Sequence, residues 1–222
     1  MTRIPQPEGA RGSLKWIQRA VNDRPDLLNA AVSSVASDIK DIDWRSALRT
    51  DNFAEYRDGA ALHVLGLSGL APDLSEFWPR RGPQWDALGV SSTGAIVLVE
   101  AKAHVAEMLS PPTQAGQKSR ARIEAALAET ADGLGARPLA PWSDAFYQLA
   151  NRLAMLWFLT QRGVDARLIL VNFVGDAEMG GPATPAEWRA AMQVAMHVMG
   201  LPARHALHPQ VISVYPDVAG FA

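Results

Sequence analysis

The chain of 222 residues contains no cysteine. That excludes disulfides, thiolate zinc sites, iron–sulfur clusters and a cysteine nucleophile together, and it fits a reducing cytoplasm. Charge of one sign is not in surplus either. The 21 Lys and Arg stand against 23 Asp and Glu, a formal net charge of -2. No global positive field draws nucleic acid, so such a partner must be met by a local site. Long hydrophobic runs are missing. The longest, at 153–159 and 168–174, fall far short of the roughly 20 residues of a spanning helix. The first twelve residues are polar, with Pro and Gly, and have no apolar core for a signal peptide. The expectation is a soluble cytoplasmic protein without a membrane partner. There is no Gly-x-x-x-x-Gly-Lys phosphate loop, no Gly-x-Gly-x-x-Gly and no His-Glu-x-x-His. The stretch 89–94 has the wrong spacing for a nucleophile elbow. With 48% hydrophobic and 20% charged residues, disorder is excluded. The length suits one domain over 1–222.

The pattern predicts a mixed α/β (α+β) fold. Trp16, Ile17, Ala20 and Val21 form an apolar stripe on a helix over 13–22, with Ser13 as its cap. A second helix starts at Pro25, with Leu28, Ala31, Val32, Val35 and Ile39 inward. Residues 40–50 stay ambiguous, and a helix is expected over 50–65. Residues 84–90 and 95–103 read as two strands joined by a tight turn at 91–94. The unbroken run Ile96-Val97-Leu98-Val99 implies a strand covered on both faces. A long helix follows Ser110-Pro111-Pro112-Thr113 to about 134, and the next is capped by Ser143 and stopped by Gly163. A strand over 167–174 comes after it. A helix then starts at the Thr184-Pro185-Ala186-Glu187 capping box, and a last strand spans 211–215. Helices should therefore cover both faces of a small mixed sheet.

Chemistry concentrates at Asp86 and at Glu100-Ala101-Lys102. Alternate strand residues share a face, so Glu100 and Lys102 point the same way beyond Ile96 and Leu98. A hairpin turning at 91–94 puts Asp86 roughly opposite 99–101. Two carboxylates and an ammonium then meet at the end of an apolar strand, where charge must be paired or hold a cation. Mg²⁺ favours hard oxygen ligands, and two carboxylates with the Ala101 carbonyl make a half-shell for it. Lys102 would lie beside a metal-bound water or a phosphoryl oxygen. The chemistry that needs this set is metal-assisted phosphodiester hydrolysis.

The pattern of Asp86, thirteen intervening residues, then Glu100-Ala101-Lys102 resembles the active-site signature of the PD-(D/E)XK nuclease superfamily, which includes restriction endonucleases and Holliday-junction resolvases. The resemblance implies a restriction-endonuclease-like core of a helix, a three-stranded antiparallel meander, a crossover helix and a further strand. That core would span about 50–174, with a helical extension at 13–40 and an added helix and strand at 184–215. It implies a nuclease cutting DNA with Mg²⁺ or Mn²⁺. Asp86 and Glu100 match the metal-binding acids and Lys102 the catalytic lysine. Glu55, expected on the preceding helix, matches the extra acid that some members use. Many such nucleases pair as homodimers to cut both strands, and the same is expected here. Residues 74–78 are the candidate first strand of the meander. Two intervening residues separate Pro83 from Asp86, and the Gln-x-x-x-Tyr signature of RecB-type members is missing, although Gln148 and Asn151 lie on the corresponding helix.

Plainer readings stand beside these. Glu100 and Lys102 can be a strand-end ion pair, and the scaffold can be a catalytically inactive module that binds protein or nucleic acid. His104 shares their face but reads as solvated. Lys118, Arg120, Arg122 and the Arg80-Arg81 pair are candidate phosphate contacts or solvated charge. Trp78 and Trp85 read as core rather than base-stacking platforms, and His205 with His208 reads as a loop pair rather than a metal site.

Overall fold

The computed structural model describes residues 2–222, all of the chain except its first methionine. In chain order the elements are β1 (Thr2–Ile4), α1 (Gly12–Asn22), α2 (Pro25–Ser33), β2 (Asp43–Ser46), β3 (Glu55–Arg57), α3 (Asp58–Val64), α4 (Ala71–Phe77), β4 (Ala87–Val90), β5 (Ile96–Lys102), α5 (Gln117–Gly133), α6 (Tyr147–Thr160), β6 (Ala166–Asn172), α7 (Pro185–Val198) and β7 (Val211–Val214). Short 3₁₀ turns link several of them.

Five strands form one mixed sheet in the order β2-β4-β5-β6-β7. β2, β4 and β5 are antiparallel neighbours, and β6 and β7 continue parallel to β5. Parallel neighbours need a crossover, and α5 and α6 supply the one between β5 and β6. β1 and β3 make a separate antiparallel ribbon. The run Ile96–Ala101 is buried throughout, as its lack of alternation predicts. Ile96, Leu98, Leu168 and Leu170 face one layer, against Ile123, Leu127, Leu153 and Phe158 of α5 and α6. Val97, Val99, Ile169 and Val171 face the other, against Trp16, Ile17, Leu28 and Val32 of α1 and α2. Each such side chain removed from water contributes about 1.5–3 kcal/mol before the entropy of ordering is set against it. Gly89 lets β2 lie close. A Cβ there would stand 2.5 Å from Ile42 Cγ2 and 3.3 Å from the Trp44 ring. No helix among the described residues is long and apolar enough to cross a membrane.

Several expectations are corrected. The first antiparallel strand is β2, inside the segment left ambiguous, and the candidate at 74–78 is helical in α4. The sheet therefore begins before residue 50. The helix expected over 50–65 is a 3₁₀ turn at 49–51, then β3, then α3. Asn52 and Phe53 take left-handed backbone at φ 52 and 48, which breaks the helix. Pairing with β1 then draws 55–57 into extended form. Ser13 does not cap α1. The helix begins at Gly12, and the Ser13 hydroxyl instead donates to Glu107 Oε1 at 2.9 Å. Ser143 does not cap α6, which starts at Tyr147 after a left-handed Phe146. Val35 lies beyond the end of α2 and is exposed. The capping box at 184–187 is present, with Glu187 Oε2 accepting from the Ala183 N–H at 2.8 Å.

Candidate functional site

Hairpin register positions the acids. Ala87 pairs with Val99, so Asp86, one residue before β4, comes level with Glu100. The Asp86 Oδ2 accepts the Ala101 N–H at 2.7 Å. In a strand one residue's N–H and C=O share an edge, so the Ala101 carbonyl lies on the side Asp86 approaches. Glu100 is 3% exposed. Its Oε1 accepts from Lys102 Nζ and its Oε2 from Arg152 Nε, the latter at 2.6 Å. Lys102 Nζ also donates to Gln148 Oε1 at 2.8 Å. The structure thus brings Asp86, Glu100, Ala101 and Lys102 to one point, as the hairpin argument expected.

Glu55 belongs to the same cluster from a strand rather than a helix, which corrects the expected placement. It is 6% exposed, and its Oε2 accepts from Gln84 Nε2 at 2.5 Å and from Gln6 Nε2 at 3.2 Å. Gln84 uses its backbone too. Its carbonyl accepts Arg152 Nη2 at 2.5 Å. The Arg152 guanidinium also lies 4.8 Å from the centre of the Trp85 ring, a cation–π distance.

Arg152, Gln84 and Gln148 escaped the sequence reading as site residues. A signal for Arg152 was there. Asn151-Arg152 interrupts an otherwise apolar helix, and a buried guanidinium demands a buried carboxylate. Glu100 is that carboxylate.

The electrostatics separate the acids. Burial pushes the Asp86 carboxyl up to about 8, the nearby Glu100 charge adds to this, and Lys102 and Arg152 only partly oppose it. Part of Asp86 still meets solvent. Glu100 suffers the same burial, but Arg152 and Lys102 outweigh it and hold its carboxyl below the ordinary value. Burial raises Glu55, with Gln84 and Arg152 resisting and Glu100 adding to the rise. The cluster therefore pairs Glu100 with its basic neighbours, while burial pushes both Asp86 and Glu55 toward their neutral forms.

The arrangement can offer Asp86 oxygen, Glu100 oxygen and a backbone carbonyl to a hard cation, with an ammonium beside it. Among the described residues no three of His, Asp and Glu form a metal-holding group by themselves. A cation here would rest on two carboxylates and backbone oxygen. A cavity of about 30 Å³, room for a single water, adjoins Glu100 and Lys102, with Gln148, Phe146 and Asn172 in its wall.

No family model, curated protein or solved structure matches this chain.

The other residues singled out by sequence lie elsewhere. His104 turns to Glu107, with Nε2 3.6 Å from its carboxylate. Trp78 and Trp85 are 3% and 4% exposed and belong to the core. Arg120 pairs with Glu124 and Asp144, so it is not a free phosphate contact. Lys118 is exposed. His205 and His208 meet edge to face, 5.8 Å between ring centres.

Proposed function

We propose that this protein is a metal-dependent nuclease that hydrolyses DNA phosphodiester bonds on a restriction-endonuclease-like core. The observation that carries the reading is the meeting of Asp86, Glu100 and Lys102 at one end of the β4–β5 hairpin, with Asp86 drawn onto the Ala101 backbone. Sheet order supports it as well. An antiparallel β2-β4-β5 unit, a helical crossover and a parallel β6 are the parts such a core requires.

The donor set fits Mg²⁺ or Mn²⁺. The ligands would be Asp86, Glu100 and the Ala101 carbonyl, with Glu55 as the outlying acid. Burial and the neighbouring Glu100 charge disfavour the ionised form of Asp86, a penalty that a bound cation would relieve. Such an ion supplies an activated water and neutralises charge on the phosphoryl group. The chain's own residues do the rest. Gln148 and Glu100 hold the Lys102 ammonium, whose remaining donor can meet a phosphoryl oxygen or orient the attacking water. Arg152 ties Glu100 of β5 to Gln84 in the segment leading into β4, and Gln84 in turn holds Glu55 of β3.

One observation favours a second reading, a nuclease-like scaffold that binds without cutting. Both oxygens of Glu100 already have cationic partners. Plasmid and single-stranded DNA incubated with Mg²⁺ or Mn²⁺ test the two. Cutting by the purified chain that falls at least 100-fold in Asp86→Ala supports the nuclease. Cutting that survives Asp86→Ala refutes this site. No cutting, with no heat of Mg²⁺ or Mn²⁺ binding at millimolar metal, selects the binding scaffold.

A further inference from the structure

A cavity of about 630 Å³ opens where α3, α4 and the loop after α4 meet α5. Its size is that of a small-molecule site. Its lining is mixed: Ala71, Pro79 and the small accessible parts of Leu74 and Trp78 are apolar, and His63 and Ser68 are polar. Its rim carries Arg80 from the loop and Arg122 from α5. These two residues are far apart in sequence, and the fold brings them to one opening.

Neither arginine has a carboxylate partner among the described residues, and both are exposed. Arg122 gives one N–H to the Ser75 carbonyl at 2.8 Å, which fixes its stem over the opening. Arg120, on the same helix, is by contrast tied to two acids. The one carboxylate in the lining, Asp58, is already engaged. Its Oδ2 accepts the Arg81 N–H at 3.0 Å and its Oδ1 the Gly82 N–H at 2.8 Å. Those two bonds pin the loop that carries Arg80. Asp58 holds this post from a left-handed backbone at φ 54, a conformation that Asp tolerates better than most residues.

Two guanidiniums without a carboxylate partner, one of them bonded only to the Ser75 carbonyl, beside a partly apolar lining suit a ligand with a doubly charged oxyanion at one end and a flat apolar body at the other. We propose that this cavity binds a nucleoside monophosphate, its phosphate between Arg80 and Arg122 and its base against the partly exposed apolar wall of Ala71 and Pro79. The source is either a free nucleotide or the phosphorylated end of a strand. None of Asp86, Glu100 and Lys102 lines the cavity, so the proposal stands apart from the metal-site reading.

Calorimetry on the full chain in EDTA tests it. The ligands are adenosine 5′-monophosphate, adenosine, inorganic phosphate, and a short single strand with a 5′-phosphate or a 5′-hydroxyl. The monophosphate should bind at least tenfold more tightly than adenosine. Arg80→Ala and Arg122→Ala should each weaken it at least tenfold, and the double variant should abolish it with an unchanged denaturation midpoint. Arg137→Ala, an exposed arginine outside the cavity, should leave binding as it is. Binding of the free nucleotide alone identifies that source. Tight binding of the phosphorylated strand over its hydroxyl counterpart identifies the strand end, and either supports the site. No heat at millimolar monophosphate, or binding indifferent to both substitutions, overturns it. The double variant should leave a Mg²⁺ titration of the intact chain unchanged, so the two sites fail in separate experiments.

Discussion

Replacing Arg152 with methionine removes a guanidinium but keeps much of the apolar stem. Arg152 and Glu100 are each about 3% exposed, so water cannot take over the lost bond. The substitution deletes the 2.6 Å contact to Glu100, the 2.5 Å contact to the Gln84 carbonyl and the cation over Trp85. Breaking one side of a buried ion pair costs about 3–5 kcal/mol, most of it the burden of a charge left unpaired. Lys102 still touches Glu100, which favours the lower end, about 3 kcal/mol. For a chain of this length that lowers Tm by roughly 10 °C. The loss should depend on pH. In the native protein Glu100 is held below its ordinary value of 4.5. Its ionised form therefore adds stability that is present above about pH 4.5 and fades as pH falls through the folded value. The gap between the native chain and Arg152→Met should be widest at neutral pH and narrow toward pH 4. Urea denaturation across that range measures it, together with Arg152→Met/Glu100→Gln, which should recover about half of the loss. A gap below about 1 kcal/mol at pH 7, or a double variant no better than the single one, would refute the reasoning.

Asp86 should contribute a pH dependence of opposite sign in the native protein, and Asp86→Asn should remove it. Between about pH 4 and 8 the folded Asp86 keeps a proton that the unfolded chain has released, so the native protein in chelator loses stability as pH climbs toward 8. The ceiling is about 6 kcal/mol. Partial exposure of Asp86 reduces the expected loss to roughly 2–3 kcal/mol. The amide of the substituted side chain does not titrate and should flatten the curve, which urea midpoints at pH 5 and pH 8.5 will test; equal slopes in the two proteins would count against the raised carboxyl. Glu107→Ala should destabilise the chain by about 1–3 kcal/mol, because its carboxylate joins the Ser13 hydroxyl to the Ala103 N–H, the latter at 2.6 Å, and so ties α1 to the end of β5. Denaturation reads the loss, and protease cleavage near residue 12 should speed up.

Local chemistry was legible where it acts locally. The unbroken apolar run of β5, the turn at 91–94 and the capping box at 184–187 each specify their own element. The convergence of Asp86 with Glu100 follows from two-residue alternation and a short turn. What was hidden depends on partners distant in the chain. β2 has two buried positions and shows itself only as the edge beside Gly89. β3 looks helical until β1 pairs with it. Arg152 lies in an apolar helix, but its partner Glu100 is 52 residues away and comes into view only when α6 is laid across β5. Ser13 looks like a cap because the acid that meets it, Glu107, lies across the fold.

The bonds that join the charged cluster span great distances along the chain: 49 residues from Gln6 to Glu55, 29 from Glu55 to Gln84, and 52 from Glu100 to Arg152. Loops of that size close late, after nearer contacts have formed. The network can be complete only once helix, hairpin and leading ribbon are all in place. Such late-forming bonds bear chiefly on how slowly the native state opens, and hardly on how fast it is reached. Substitutions in the cluster should therefore change the unfolding rate more than the folding rate.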